Sequence, residues 1–132
     1  MNQTKLWIGF LACIAMFHTA NAQSEKLPSN FFMSKLENGL EILVIEDRTV
    51  PLATIEISTR NGSYTEPPEY NGLSHLYEHM FFKANRDYPS QEKFLERVKE
   101  LGIVFNGTTS NERVNYFITL GNYNLRPGLE FI

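Results

Sequence analysis

The sequence predicts an α+β protein, and three observations lead there. Runs rich in Ile, Val and Thr precede and follow two segments with helical spacing, in the order strand, strand, helix, helix, strand, strand, helix rather than a strict βαβ alternation. With 132 residues, 42% hydrophobic and 13% aromatic, the chain is long and apolar enough for one packed core. After the first twenty-odd residues no repeat, low-complexity tract or linker divides it, so residues 23–132 read as one unit. The formal charge of −3 and the lack of a Lys/Arg run exclude nucleic acid and an anionic membrane surface as evident partners.

Residues 1–22 read as a signal peptide. Lys5 supplies the positive start, Leu6 to Phe17 an apolar run, and Ala20-Asn21-Ala22 a small-residue cleavage site, so the mature chain begins at Gln23. The apolar run is too short to span a bilayer as a stable helix, and the expected setting is periplasmic or secreted, of bacterial type. Lipoprotein processing at Cys13 is the alternative, although Phe10-Leu11-Ala12-Cys13 matches the usual pattern poorly. Cys13 is the sole cysteine, which excludes thiolate ligands and thiol nucleophiles from the mature chain.

Gln23 to Ser34 is mixed and reads as a lead-in, with Phe31 and Phe32 as packing residues. Asn38-Gly39 is a turn signal, and Leu40 to Glu46 follows as a strand. Leu43, Val44 and Ile45 run without a polar break, which predicts cover on both faces. Leu52 to Arg60 sets Ala53, Ile55 and Ile57 against Thr54, Glu56 and Ser58, the alternation of a half-buried strand. Asn61-Gly62-Ser63 ends it, and Glu66-Pro67-Pro68-Glu69 is a stiff approach to the next helix.

Lys83 to Pro89 is a loop, and Ser90 then caps a helix with Glu92 in its first turn, a buried stripe of Phe94, Leu95, Val98 and Leu101, and a stop at Gly102. Ile103-Val104-Phe105 leads through Asn106-Gly107-Thr108-Thr109-Ser110 and the turn Asn111-Glu112-Arg113 into the β-rich run Val114 to Leu120, a hairpin. Asn122 is placed to cap a last helix containing Leu125, Leu129 and Phe131, with Pro127 admissible only in its first turn.

Between the two halves of this pattern lies Gly72-Leu73-Ser74-His75-Leu76-Tyr77-Glu78-His79-Met80-Phe81-Phe82-Lys83. On a helix, His75 and His79 stand four positions apart on one face, where two imidazoles can meet one metal ion. Glu78 lies beside that pair, able to take a proton from an activated water. The order His-x-x-Glu-His is that of the inverted zinc peptidases. A plainer reading stands beside it: Leu73, Leu76, Tyr77, Met80 and Phe81 form an apolar stripe sufficient for a core helix, with the histidines and glutamate on its solvated side.

The flanking residues resemble the signature of the pitrilysin/insulinase family of zinc metallopeptidases, Gly-Leu-Ala-His-x-x-Glu-His-Met-x-Phe-Lys-Gly, and the likeness runs from Asn38-Gly39-Leu40 past Tyr116. That resemblance implies the N-terminal part of a pitrilysin-like domain, truncated here, with helices packed on one mixed β-sheet. It implies Zn2+ held by His75 and His79, Glu78 as general base, and a third ligand, a glutamate, expected beyond Ile132. Asn106-Gly107-Thr108-Thr109 resembles the family's Asn-Ala-x-Thr on a strand along which substrate lies, which makes Asn106 a substrate-binding candidate. A turn asparagine beside a glycine is the alternative at that position. Ser74, Ala84-Asn85 and Gly107 depart from the family's pattern, none of them at a metal ligand.

The implied partners are a peptide or small-protein substrate and a second, similar half or subunit that closes the cleft. The implied function is zinc-dependent peptide hydrolysis, with this fragment inactive alone. A non-catalytic subunit that keeps the fold and binds peptide or a partner chain is the rival, against which an intact Glu78 argues. Asn61-Gly62-Ser63 and Asn106-Gly107-Thr108 also match glycosylation acceptors, but both read as turns.

Overall fold

The computed structural model describes residues 27–132, so the signal segment, its Ala22–Gln23 cleavage site and Cys13 lie outside the described residues. The chain divides after Asp47 into two units.

The first unit holds a two-stranded antiparallel ribbon of β1 (Phe31–Lys35) and β2 (Glu41–Ile45), in register from Phe31 opposite Ile45 to Lys35 opposite Glu41. Gly39 turns the chain at φ 89°, a left-handed conformation in which a side chain would be strained, and Asn38 Oδ1 accepts from the Leu40 N–H at 3.1 Å. Lys35 and Glu41 pair across the ribbon at 3.2 Å. β1 corrects the sequence reading, which took this stretch as lead-in. The Asn-Gly turn needed a partner strand upstream as well as downstream, and Phe31-Phe32-Met33 supplies it. The expectation that Leu43, Val44 and Ile45 are covered on both faces also fails, since their exposures are 53%, 51% and 52%. A ribbon of two strands has no second layer of its own to cover either face.

The second unit is built on a three-stranded antiparallel sheet in the order β3 (Leu52–Thr59), β5 (Val114–Gly121), β4 (Val104–Thr109). The hairpin that joins β4 to β5 closes through the Ser110 N–H, which donates to the Arg113 carbonyl at 2.9 Å. This hairpin sets β5 between β3 and β4, which therefore run the same way without pairing. The architecture is α+β, as read from the sequence. The described strands form two purely antiparallel sheets, where the resemblance implies one mixed sheet.

Alternation on β5 sorts the sheet into two faces. Val114, Tyr116, Ile118 and Leu120 are buried on one, opposite Ile57, Ile55 and Ala53 of β3. The other face is mostly polar, with the Thr54 and Thr119 hydroxyls 2.9 Å apart and Ser58 Oγ donating to Asn115 Oδ1 at 2.9 Å. Three helices belong to this unit: α1 (Leu73–Phe81), α2 (Gln91–Leu101) and α3 (Leu125–Phe131).

Helix α2 follows its local signals. Ser90 Oγ accepts from the Lys93 N–H at 3.3 Å, and Gly102 takes the left-handed conformation at φ 65°. Its Phe94, Val98 and Leu101 join Ile103, Ile118, Leu120 and Phe131 in the core. Burial of such side chains contributes about 1.5–3 kcal/mol each. Helix α3 carries Pro127 in its first turn, where no backbone N–H is required, and begins after a 3-10 turn over Asn122–Asn124. Among the described residues no helix is long and apolar enough to cross a membrane.

Candidate metal centre

Helix α1 carries the histidines, and its start is set by the segment just before it. Pro67-Pro68 lead into a 3-10 turn over Pro68–Tyr70, and Gly72 reverses the chain at φ 93°. The Glu66 carboxylate then accepts from the backbone N–H groups of Gly72 at 2.7 Å and Ser74 at 2.6 Å. These are donors that a helix start leaves without a partner, and a negative charge there is favoured by the helix dipole. Hydrogen bonds from Ser74, side chain and backbone, and then from Gly72 hold the Glu66 carboxyl below the usual carboxylate range. Ser74 is buried, and its hydroxyl accepts from Asn61 Nδ2 at 3.2 Å. The departure from alanine at this position thus carries a hydroxyl that the fold uses.

The helix brings the imidazoles of His75 and His79 to a centroid separation of 4.6 Å with their planes inclined at 38°. Both residues are exposed. Glu78, between them in sequence, turns inward and is half-buried against β4. There Thr109 donates its hydroxyl to Glu78 Oε2. Gly107, on the same side of the strand, leaves room for the glutamate stem: a Cβ at this position would stand 2.9 Å from Glu78 Cγ and 3.3 Å from Phe82 Cε2. Phe81 stacks on Tyr116 at 4.0 Å and Phe82 on Phe105 at 4.5 Å, which anchors the end of α1 to the sheet. Burial, with Tyr77 and Glu78 nearby, raises the Tyr116 phenol above its ordinary pKa.

Apart from Phe81, the apolar stripe is therefore not the buried side of α1. Leu73, Leu76, Tyr77 and Met80 are all more than half exposed, whereas Ser74 is buried and Glu78 and Phe81 are half-buried. A core helix with a solvated polar side would bury those four apolar residues and expose Glu78 together with the histidines. The polar groups can turn inward because Glu66, Asn61 and Thr109 supply their hydrogen bonds.

Asn106 lies on β4, not in a turn. It is exposed and belongs to the opposite side of the strand from Gly107 and Thr109, so the fold does not bring its side chain to the Glu78 side. Its Oδ1 accepts locally from the Gly107 N–H at 2.9 Å. β4 is an edge strand of the sheet, as β3 is, with β5 on one side and no described strand on the other.

Sequence reading passed over Glu66, Gly107 and Thr109 as site residues. Period-two alternation would have placed Gly107 and Thr109 on one side of β4 together, but nothing local points Glu66 at a helix that begins seven residues later. Beside His75 is a recess of about 270 Å³ lined by Ser63, Glu66, Asn71, Gly72, Thr109, Ser110 and Asn111. A larger, mostly apolar recess of about 340 Å³ lies among Met80, Phe81, Phe82, Phe94 and Phe131, away from the histidine face. Among the described residues no group of three or more His, Cys, Asp or Glu side chains converges as a metal site. Two imidazoles on one helix face suit zinc in kind, since imidazole nitrogen is among its usual donors.

Fold and site thus describe an α+β domain with an inverted His-x-x-Glu-His helix laid on a sheet edge. The model for the family described as Insulinase (Peptidase family M16) matches residues 41–132. Over 96 residues the chain is 33% identical to a protein named insulin-degrading enzyme homolog from Dictyostelium discoideum, covering 73% of this chain and 10% of that protein. Human insulin-degrading enzyme is 31% identical over 96 residues, and a zinc protease of Rickettsia felis 32% over 106 residues, covering 80% of this chain and 26% of its own length. The crystal structure of a protease from Helicobacter pylori superposes with a TM-score of 0.70 at 29% identity, covering 76% of this chain and 24% of that one. The chain belongs to the insulinase family of peptidases. It spans between 9% and 26% of the length of these three relatives.

Proposed function

We propose that the protein bearing these residues is a zinc-dependent metallopeptidase that hydrolyses peptides or small proteins, with His75 and His79 as zinc ligands and Glu78 as general base. The observation that carries the reading is the pair of exposed imidazoles 4.6 Å apart on one helix face, next to a glutamate held by a hydroxyl on the sheet edge. Bound zinc would supply Lewis-acid polarisation of the scissile carbonyl and acidify a water to a pKa of about 7. Glu78 takes the proton of the attacking water on a carboxylate oxygen and passes it to the leaving amine nitrogen. His75 and His79 would hold the ion through their ring nitrogens.

The unpaired edge of β4 supports binding of the substrate as an added strand, its backbone meeting that of β4, with Asn106 contributing a side-chain amide. A third protein ligand, and a second, similar half that covers the cleft, complete the site in this reading. The exposed Leu73, Leu76 and Met80 are consistent with a covering partner. The signal-like residues 1–22 support an exported setting, periplasmic or secreted.

Glu78→Gln in the full-length protein tests the proposal. It is expected to keep zinc and lose peptide cleavage, because both imidazoles remain while the base is removed. Unchanged turnover would take Glu78 out of the mechanism. A wild-type protein that binds peptide and never cleaves it would favour a non-catalytic subunit.

A further inference from the structure

We propose that Thr109 is a positioning residue for the general base: its hydroxyl holds Oε2 of Glu78 and fixes the orientation of the carboxylate, leaving Oε1 as the oxygen that receives the proton. The inference rests on the peptidase reading above. Thr109 donates its hydroxyl directly to Oε2. A glutamate on a helix has three side-chain torsions, and unrestrained it spreads over many rotamers. A base that must meet a water within hydrogen-bond reach loses effectiveness when it wanders.

The support for the hydroxyl is rigid. Thr109 pairs with Val114 in the β4–β5 ladder, next to the hairpin closure at Ser110 and Arg113, and its β-branched side chain has few rotamers. Gly107 makes the approach possible. The Glu78 stem passes over it, and any Cβ there would stand 2.9 Å from Glu78 Cγ, so the glycine and the threonine form one cradle. Asn106 and Thr108 are on the other side of the strand, which divides β4 into an outward side and an inward side that serves the base.

The test compares Thr109→Val, which keeps the shape and removes the donor, with Thr109→Ser, which keeps the donor, in the full-length protein. For Thr109→Val the expectation is a fall of about 10- to 100-fold in kcat, with KM and zinc content unchanged; Thr109→Ser restores most of the rate. The contact is read separately at a fixed neutral pH by the side-chain carboxyl 13C resonance of Glu78, assigned by its loss in Glu78→Gln. It should move in Thr109→Val and stay in Thr109→Ser. An unmoved resonance in Thr109→Val overturns the contact. A moved resonance with unchanged kcat overturns the positioning role, as does a parallel loss of zinc or of the folded state in both variants. If the resonance moves as expected while wild type cleaves no peptide, the peptidase reading fails, the positioning role falls with it, and the contact alone survives.

Discussion

The rings of His75 and His79 lie 4.6 Å apart, while the carboxylate of Glu78, one residue before His79, reaches Thr109 on β4. A helix sets this division: at about 3.6 residues per turn His79 lies about 40° round the axis from His75 in one sense and Glu78 about 60° in the other. The proposed ligands and the proposed base are therefore adjacent without competing for the same space.

Replacing either histidine should cost zinc and little else. His75→Ala and His79→Ala each leave one imidazole, and because both rings are exposed the folded state should change by no more than about 0.5 kcal/mol. Metal content after dialysis, beside a thermal melt, checks this. Full zinc retention in both variants would exclude the pair as ligands.

Acid should loosen the start of α1. The Glu66 carboxyl is held below the ordinary range in the fold, so its contribution is complete at neutral pH and in place above the unfolded value. It is lost as pH falls from the ordinary carboxylate value through the lowered one. Amide exchange at Gly72 and Ser74 should rise over that window in wild type. In Glu66→Gln, which lacks the charge, those amides should exchange faster already at neutral pH, and equal protection in the two proteins would count against the cap.

Gly62→Ala should destabilise by about 1–3 kcal/mol through overpacking. The added Cβ would lie 2.3 Å from the Ser110 carbonyl oxygen and 2.7 Å from the Asn111 carbonyl carbon, both backbone atoms unable to swing aside. The Tyr64 N–H donates to the Asn111 carbonyl at 2.9 Å in the same crossing, so displacement breaks a second contact. Urea denaturation measures the loss.

Ile118→Ala removes a side chain 1% exposed at the centre of β5, packed against the α2 and α3 residues of the core. The expected cost is about 2–5 kcal/mol, part transfer and part cavity. Thermal or urea unfolding of the variant checks it, and a change below about 0.5 kcal/mol, the range of surface substitutions, would mean the core is elsewhere.

By itself the sequence determined the elements whose signals are local. Ser90 and Gly102 bound α2 because a hydroxyl cap and a left-handed glycine act within one turn. Asn38-Gly39 turns the ribbon, and the alternation of Ala53, Ile55 and Ile57 marks β3, because both effects concern neighbours along the chain. The spacing of His75, Glu78 and His79 was legible for the same reason. Only the tertiary structure decided that Leu76 and Met80 face outward while Glu78 faces in. Helical periodicity defines two sides of a helix but not which one the sheet can receive; here a missing Cβ at Gly107 and hydrogen bonds from Thr109 to Glu78 and from Ser74 to Glu66 make the side with Ser74, Glu78 and Phe81 the one that fits. The strand order β3-β5-β4 and the side of β4 on which Asn106 lies were likewise set by pairing between segments far apart in sequence, where register depends on partners that local composition does not name.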